Sequence, residues 1–249
     1  FSIIIGGFGC TCMPNGHRTW CWWTKTPIDC HKHFNTESYK GHGNVRIVDY
    51  NGDSAWNYVW FRDVGARPAV AYSSISSFAS NKVRGLDGIL EVEYGEYPQT
   101  VVSEDFAKTL EEAYLNQKIC MTGKKYTTDF VDYEYSLDPF KERHHIEYEY
   151  QGKKYIRIVG DSKCNGRYLS DGRTIWENRA YWIEVKPIKW IIDEKADIAL
   201  SKKLLFSRIR FLNSNDDYKG DFNNTYIKQF MDKYFAKEII SNKELKHER

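Results

Sequence analysis

Residues 19–27, TWCWWTKTP, and residues 44–70, NVRIVDYNGDSAWNYVWFRDVGARPAV, decide how the rest of the chain is interpreted. The first stretch is an apolar, tryptophan-rich run that ends at Pro27, which is typical of a buried strand. The second predicts an aromatic hairpin, followed by a short edge strand that starts beside Pro68. Residues 28–43 are polar and follow neither a helical nor a strand period, and a loop this long in a compact domain is usually functional or disordered. The sequence therefore predicts a recognition surface over residues 20–70, held on a scaffold.

The hairpin is predicted from its turn. Asn51-Gly52 favours a two-residue type I′ turn, because both central positions need a positive φ, and the returning strand runs from about Ala55 to Arg62. On that strand Trp56, Tyr58 and Trp60 share one face, and Asn57, Val59 and Phe61 share the other. Asp49-x-Asn51-x-Asp53 also has the spacing that opens a calcium-binding EF-hand loop. The glycine is one place off and no glutamate closes the loop, so the hairpin is favoured.

Composition excludes several classes of function. The chain has 249 residues, 41% of them hydrophobic and 16% aromatic, and its formal net charge is +2. This balance gives no broad attraction to nucleic acid or to an anionic membrane. No apolar run is long enough to cross a bilayer, and FSIIIGGFG at residues 1–9 lacks the basic region of a signal peptide. We expect a cytoplasmic protein that does not insert into membranes, and leave surface display open.

The six cysteines allow two interpretations. Cys10, Cys12, Cys21 and Cys30 lie close together in the sequence, beside His31 and His33, which makes a zinc site conceivable. Their spacing does not match the usual C-x₂₋₄-C pairs, and a chain of this length without a secretion signal is not expected to be a disulfide scaffold. Free thiols and no bound metal are the preferred interpretation.

The remainder of the chain predicts a mixed structure. A strand is expected at Ser2–Ile5, a serine-rich connection at residues 71–87, and a half-buried strand at Ile89–Tyr94 that ends in a turn at Gly95–Pro98. Residues 120–145 are predicted to be irregular. Further strands are expected at Tyr148–Tyr150 and Tyr155–Val159, which form a hairpin around Gly152, and within Ile198–Phe206. Tyr181–Ile192 is predicted to be one long strand or two, bent at Pro187.

Two helices are predicted. Ser103 is a suitable cap for the first, and Phe106, Leu110, Ala113 and Tyr114 form its apolar stripe. Asp221 is expected to cap the second. The apolar residues of the second helix are Phe222, Tyr226, Ile227, Phe230, Met231, Tyr234 and Phe235.

Several pieces of the chain carry a resemblance when they are taken together. They are Gly95-Glu96-Tyr97-Pro98-Gln99, Tyr181-Trp182-Ile183, Pro187-Ile188-Lys189-Trp190, Ala199-Leu200-Ser201-Lys202-Lys203, the helix after Asp221, Trp22-Trp23-Thr24-Lys25-Thr26-Pro27 and Gly65-Ala66-Arg67-Pro68-Ala69. These pieces resemble a bacterial domain family of unassigned function. That family is similar to the C-type lectin fold, in the branch that includes formylglycine-generating enzymes and the variable proteins of diversity-generating retroelements.

The resemblance implies an α+β fold of the C-type lectin type, with small mixed and antiparallel sheets and two main helices at about residues 103–117 and 222–240. The last two pieces of sequence close the family's fold, yet here they come first. This order suggests a circular permutation, which is the preferred explanation, or truncated tandem copies in which residues 1–70 complete a domain lost upstream. In a C-type lectin-like fold the first and last strands pair, so joining them costs little. We expect one domain over residues 1–249. It would consist of an arm (1–19), the tryptophan-rich segment (20–70), a connection (71–87), a scaffold (88–240) and a tail (241–249).

The resemblance also suggests where a ligand would bind. In the retroelement variable proteins, the displayed residues lie between the tryptophan-rich strand and the last core strand, and a mixture of aromatic and short polar side chains suits such a surface. Trp22, Trp23, Val59, Arg67 and Pro68 are interpreted as framework. The matching ligand-binding candidates are Cys30, His31, His33, Phe34, Asn35, Tyr39, Ala55, Asn57, Trp60, Phe61 and Asp63.

We therefore expect a non-enzymatic, receptor-type module, the variable protein of a bacterial or phage diversity-generating retroelement, which binds a protein or other macromolecule without a cofactor. One alternative is an oxidoreductase of the formylglycine-generating type, whose cysteine pair the isolated Cys120 and Cys164 do not reproduce. The other is a sensing or structural module, with further domains in the same polypeptide. His144-His145 could serve in acid–base chemistry, but in a predicted polar loop the pair is interpreted as surface.

Overall fold

The structure is a computed structural model. It describes residues 4–8, 22–27, 44–48, 54–58, 66–86, 88–130, 141–160, 169, 171–206, 211–212 and 221–240. The described part has a mixed α+β architecture of mainly antiparallel sheets with two main helical segments. None of its helices is long and apolar enough to cross a membrane.

The described residues among the first 65 form four short strands: β1 (Ile4–Phe8), β2 (Trp22–Pro27), β3 (Asn44–Val48) and β4 (Ser54–Tyr58). Strands β2, β3 and β4 form an antiparallel sheet with β3 in the middle, which confirms the predicted hairpin. Its predicted register is wrong by one position. Val48 lies opposite Ser54, whereas a two-residue turn at Asn51-Gly52 would place Val48 opposite Ala55.

The main sheet contains eight strands. Its longest strand, β11, is paired along one edge with β7 and along the other with β10 and then β12. The outermost neighbours are β5 beside β12, β6 beside β7, and β9 and then β8 beyond β10. The eight strands are β5 (Ala69–Ala71), β6 (Ser80–Arg84), β7 (Leu90–Val101), β8 (Cys120–Phe130), β9 (Lys141–Tyr150), β10 (Lys153–Val159), β11 (Ala180–Asp193) and β12 (Ile198–Ser201).

A final strand, β13 (Lys203–Phe206), follows β12 and pairs in parallel with β1. The first strand was predicted at Ser2–Ile5, and the structure places it at Ile4–Phe8. Ala66 bridges to Phe206, so the chain just before β5 is joined to this pair by backbone hydrogen bonds.

The first helix, α1 (Glu104–Leu115), is confirmed nearly as predicted. The Ser103 hydroxyl accepts a hydrogen bond from the N–H of Phe106, which satisfies one of the donors that a helix start leaves without a partner. Leu110 is buried in one cluster with Trp182 and Tyr155 of the sheet, and Ala113 is also buried. The apolar stripe therefore packs as its spacing indicates.

The C-terminal helical segment is more varied than predicted. Asp221 caps only a 3₁₀ turn, Phe222–Asn224. Thr225 then caps α2 (Tyr226–Phe230), which continues directly into a π-helix, Met231–Ile240. Its buried side chains are Ile227, Phe230, Tyr234, Phe235 and Ile239.

The two helical segments cover opposite faces of the sheet. Trp182 on β11 packs with α1, whereas the next residue, Ile183, belongs to the cluster that includes Phe235 of the π-helix. Neighbouring residues on a strand point to opposite faces, so α1 lies on one side of β11 and the C-terminal segment on the other. Both Trp182 and Trp190 are fully buried at this centre.

Three predictions about local structure are wrong. Gly95–Pro98 does not turn the chain, because β7 continues through it to Val101, with an irregularity in its pairing to β11. Gly95 has φ +70°, and a Cβ there would lie 2.9 Å from the side chain of Ile239, so glycine permits both the backbone and the close packing. Residues 120–130 and 141–145 are not irregular, since they supply β8 and the start of β9, and His144-His145 lies on β9, while residues 131–140 lie outside the described residues. The connection 71–87 contains a strand, β6.

Three predicted features of the main sheet are confirmed. Gln151 and Gly152, with φ of +51° and +72°, turn β9 into β10, as the hairpin around Gly152 requires. Tyr181–Ile192 is one strand, with its pairing to β7 displaced near Pro187. The strand expected beside Pro68 is an edge strand, β5.

Candidate functional site

Most of the predicted ligand-binding residues lie outside the described residues. Among the eleven candidates, the structure describes the backbone at Ala55 and Asn57, both on β4. The candidates outside the described residues are Cys30, His31, His33, Phe34, Asn35, Tyr39, Trp60, Phe61 and Asp63. The proposed calcium ligands Asp49, Asn51 and Asp53 and all cysteines except Cys120 are also outside. Cys120 itself is an exposed, free cysteine.

The register of the small sheet brings the two described candidates to one face. Ala55 lies opposite Ile47 and Asn57 lies opposite Val45, and β3 separates both from β2. Positions 45, 47, 55 and 57 therefore lie on one face, while Arg46 and its partner Trp56 lie on the other. The predicted alternation of β4 is consistent with this pairing.

A groove lies where the predicted binding segment enters the main sheet. It has a volume of about 630 Å³ and runs between residues 66–71 and the C-terminal helical segment. Its floor is largely aromatic and aliphatic, and Lys228, Asp232 and Asp197 supply charges at its walls. The apolar lining includes Phe211, Phe222, Ile227, Met231 and Phe235. Ligand sites of this size with an apolar floor and a few charged groups are common in proteins.

Arg67 fixes the strand side of this groove. Its Nε and Nη2 donate to the carbonyl of Ser201 at 3.0 and 2.7 Å, and Ser201 is fully buried. Burial lowers the pKa of Arg67 from its ordinary value, but a guanidinium remains charged at neutral pH. The interpretation of Arg67 as framework agrees with this contact, because its side chain is used to hold β5 against β12.

The open edge of β5 borders the same groove. Pro68 accepts from the N–H of Ser201 at 2.9 Å and Tyr72 donates to Asp197 at 3.1 Å, so alternate residues bond to β12. The backbone groups of Ala69 and Ala71 point the other way, and the carbonyl of Ala71 accepts from the N–H and the hydroxyl of Ser74 at 3.2 and 2.6 Å. Among the described residues, the groups left on this edge are the N–H and carbonyl of Ala69 and the N–H of Ala71. Within the described ranges, no strand pairs with that side of β5. An extended polypeptide could therefore bind there by strand addition.

The loop after β5 is held in place by a carboxylate. Asp197 accepts from the backbone N–H of Ser73 at 2.7 Å and from its hydroxyl at 2.8 Å. These hydrogen bonds lower the pKa of Asp197, because they stabilise the ionised form. A turn held by these side-chain hydrogen bonds therefore borders the groove at Asp197.

A second, charged cleft lies on the other face of the sheet, beside α1. Its volume is about 340 Å³, and it is lined by three arginines, one on β10 and two in the segment before β11. Sequence reasoning missed this cleft, because its residues come from distant parts of the chain and no local motif connects them. In the described ranges, no group of three or more His, Cys, Asp or Glu residues could hold a metal ion.

No protein-family model matches the chain, and neither a curated protein nor a solved structure matches it. The function is therefore argued from the geometry above.

Proposed function

We propose that this protein is a receptor-type ligand-binding module, in which a rigid sheet-and-helix scaffold presents residues 30–63 and the adjoining groove to a protein ligand. The observation that carries the proposal is the groove beside β5. It opens at the strand that ends the predicted binding segment, and it combines an apolar floor with an open strand edge.

The rigidity of the exit strand supports this role. Ala66 is bonded to Phe206, and Arg67 to the carbonyl of Ser201, so the chain leaves the binding segment in a fixed position. A displayed surface needs such support, since ordering a flexible segment on binding costs affinity.

The proposal extends to a C-type lectin-like scaffold and to the variable protein of a diversity-generating retroelement. In support, the pieces that carry the resemblance adjoin in the sheet: residues 95–99 are in β7, beside β11, which carries Tyr181–Trp190, and β12 lies between β11 and β5. One expectation differs, because β5 and β7 do not pair directly and are separated by β11 and β12.

Tolerance to substitution tests the proposal. In one library, the eleven candidate positions from Cys30 to Asp63 are randomised, and cells or phage are sorted for protease-resistant protein. We expect a large fraction to remain folded, because displayed positions contribute little to the core. A matched library randomises eleven buried scaffold positions, Trp182 and Trp190 among them, and should yield almost no folded protein. Equal losses in both libraries would contradict the display proposal.

The coding DNA tests the finer part. A near-copy of the region encoding residues 20–70, next to a reverse transcriptase gene and differing from it only at adenines, would support a retroelement variable protein. A locus without these elements would remove that assignment, and the library result would still decide the general binding role.

A further inference from the structure

The cleft beside α1 is built from charged side chains that are already oriented. It lies between the first turns of α1 and strands β10 and β11. Three arginines line it, and each of them is paired with a carboxylate. The charged residues that line it are Glu104, Lys108, Glu111, Arg157, Arg173 and Arg179.

Arg157 is the most firmly held of these residues. Its Nε donates to Oε2 of Glu111 at 2.9 Å and its Nη2 donates to Oε1 at 2.6 Å, which makes a bidentate pair. Trp182 Nε1 also donates to Oε2 of Glu111, at 3.0 Å. The hydrogen bond from Arg157 lowers the pKa of Glu111, so the pair is charged at neutral pH. The guanidinium lies 4.7 Å from the ring centroid of Tyr114, which further restricts its orientation.

The other two arginines are oriented by different partners. Arg173 donates through Nε to Asp171 at 2.6 Å and through Nη2 to the carbonyl of Val102. Arg179 donates through Nη2 to Glu104 at 2.8 Å and lies 5.6 Å from the ring centroid of Tyr181. Each guanidinium therefore has a defined position at the cleft without using all of its N–H groups.

Each of these arginines also has N–H groups that donate no hydrogen bond to another described residue. Within the described residues, Nη1 of Arg157, Nη1 of Arg173, and both Nε and Nη1 of Arg179 have no hydrogen-bond acceptor. The Glu111 carboxylate is not available to bind a cation, because it already accepts three hydrogen bonds. Guanidinium groups with open N–H donors are the preferred protein partners of phosphate and carboxylate oxygens.

We propose that this cleft binds an oxyanion, namely the phosphoryl or carboxylate group of a small organic molecule. The volume of about 340 Å³ exceeds the need of an inorganic ion, since one water in the liquid takes up about 30 Å³. Val101, Ala107 and Ala180 line the remainder with apolar surface, which suits an organic group attached to the acid. The site lies on the face opposite the groove, so it does not depend on the proposed function.

Glu104 competes with the ligand for the guanidinium of Arg179. It occupies one donor of Arg179, and both side chains are about half exposed, at 52% and 48%. Ion pairs with this exposure are weak, so an oxyanion can replace the carboxylate. Removing the charge of Glu104 should tighten binding, while removing that of Arg179 should weaken it.

Calorimetric titration of the full chain with inorganic phosphate and, separately, with benzoate, at low ionic strength, tests the proposal. We expect Arg179→Gln to weaken binding of the better probe by about tenfold, as the loss of a charge-assisted hydrogen bond predicts. Glu104→Gln should strengthen it several-fold. Tighter binding of phosphate would assign a phosphoryl ligand, and tighter binding of benzoate would assign a carboxylate ligand.

A matched ion pair supplies the controls. Arg84 and Glu194 also meet at 2.8 Å, with exposures of 54% and 52%, far from the cleft on β6 and the turn after β11. Arg84→Gln and Glu194→Gln should leave the affinity unchanged within about twofold. The proposal is overturned if neither probe binds, or if the substitutions at 84 and 194 alter binding as much as those at 179 and 104. Circular dichroism of every variant verifies that the fold is retained.

Discussion

The groove beside β5 and the cleft beside α1 lie on opposite faces of one sheet, and they are built in different ways. The groove is lined by aromatic and aliphatic side chains that also belong to the core, such as Phe235. The cleft is lined by charged side chains that form ion pairs with one another at the protein surface. Changes in the groove should therefore affect stability, whereas changes in the cleft should alter charge recognition with a smaller effect on folding.

The largest expected effect tests whether the groove floor is part of the core. Phe235 is 2% exposed, and its ring lies 5.4 Å from that of Phe206 by centroids. We expect Phe235→Ala to lower the free energy of unfolding by about 3–5 kcal/mol, because it leaves a cavity among aromatic rings. Urea denaturation measures this loss. Phe78→Ala, at a ring that is 39% exposed, is the control and should cost under about 1 kcal/mol. Similar losses at both positions would show that Phe235 contributes no more to stability than a partly exposed ring, and that the groove floor is not part of the core.

An intermediate effect is expected in the cleft. Glu111→Gln removes the charge that Arg157 and Trp182 bind, and it should cost about 1–2 kcal/mol at pH 7. The pKa of Glu111 is lowered in the folded protein, so its contribution is present above its ordinary value of 4.5 and is lost as pH falls through the folded value.

The difference between the wild type and Glu111→Gln should accordingly be largest at neutral pH and shrink in acid, which urea denaturation at pH 7 and pH 3 would show. Glu112→Gln, at the exposed neighbouring position, is the control and should show no such pH dependence. A gap that widens in acid would contradict the assigned role of the carboxylate.

The smallest effect is expected at the rim of the groove. Lys228 forms an ion pair with Asp232 one helical turn later, and Asp232 is 61% exposed. Lys228→Gln should reduce stability by about 0.3–0.5 kcal/mol in low salt and by less in 1 M NaCl, because exposed pairs are screened. Lys195→Gln, in the exposed turn after β11, gives the baseline. If Lys228→Gln lowered the free energy of unfolding by more than about 1 kcal/mol, ion pairs would stabilise the groove as well as the cleft.

Local signals explain which parts of the fold the sequence predicts. Helix α1 was predicted correctly because its signals, the Ser103 cap and the apolar stripe, all lie in one short stretch of the sequence. The hairpin around Gly152 was predicted because its turn needs residues that tolerate positive φ. Both features are decided by neighbours in the sequence.

Long-range contacts explain the failures. The Gly95–Pro98 sequence has the composition of a turn, but pairing with β11 and packing against Ile239 keep it extended. Strands β8 and β9 are rich in polar residues, and their pairing with each other is not encoded in a hydrophobic pattern. Tertiary pairing commonly overrides local preference in strands.

The candidate sites show the same division. The apolar stripe after Asp221 predicted a packed helix, and part of that stripe lines the groove. The cleft could not be predicted, since Glu111 is 46 positions from Arg157 and 71 from Trp182. From a single sequence, nothing about a charged residue on a helix indicates which distant residue it will contact.

The pairing of β5 with β12 also bears on how the protein is synthesised. Arg67 and its acceptor Ser201 are separated by 134 positions. At about 5–20 residues per second, β5 leaves the ribosome of the order of ten seconds before its partner strand exists. During that interval β5 has no partner strand in its own chain, and unpaired strand edges in incomplete chains are prone to aggregate, so the delay exposes the nascent protein to that risk.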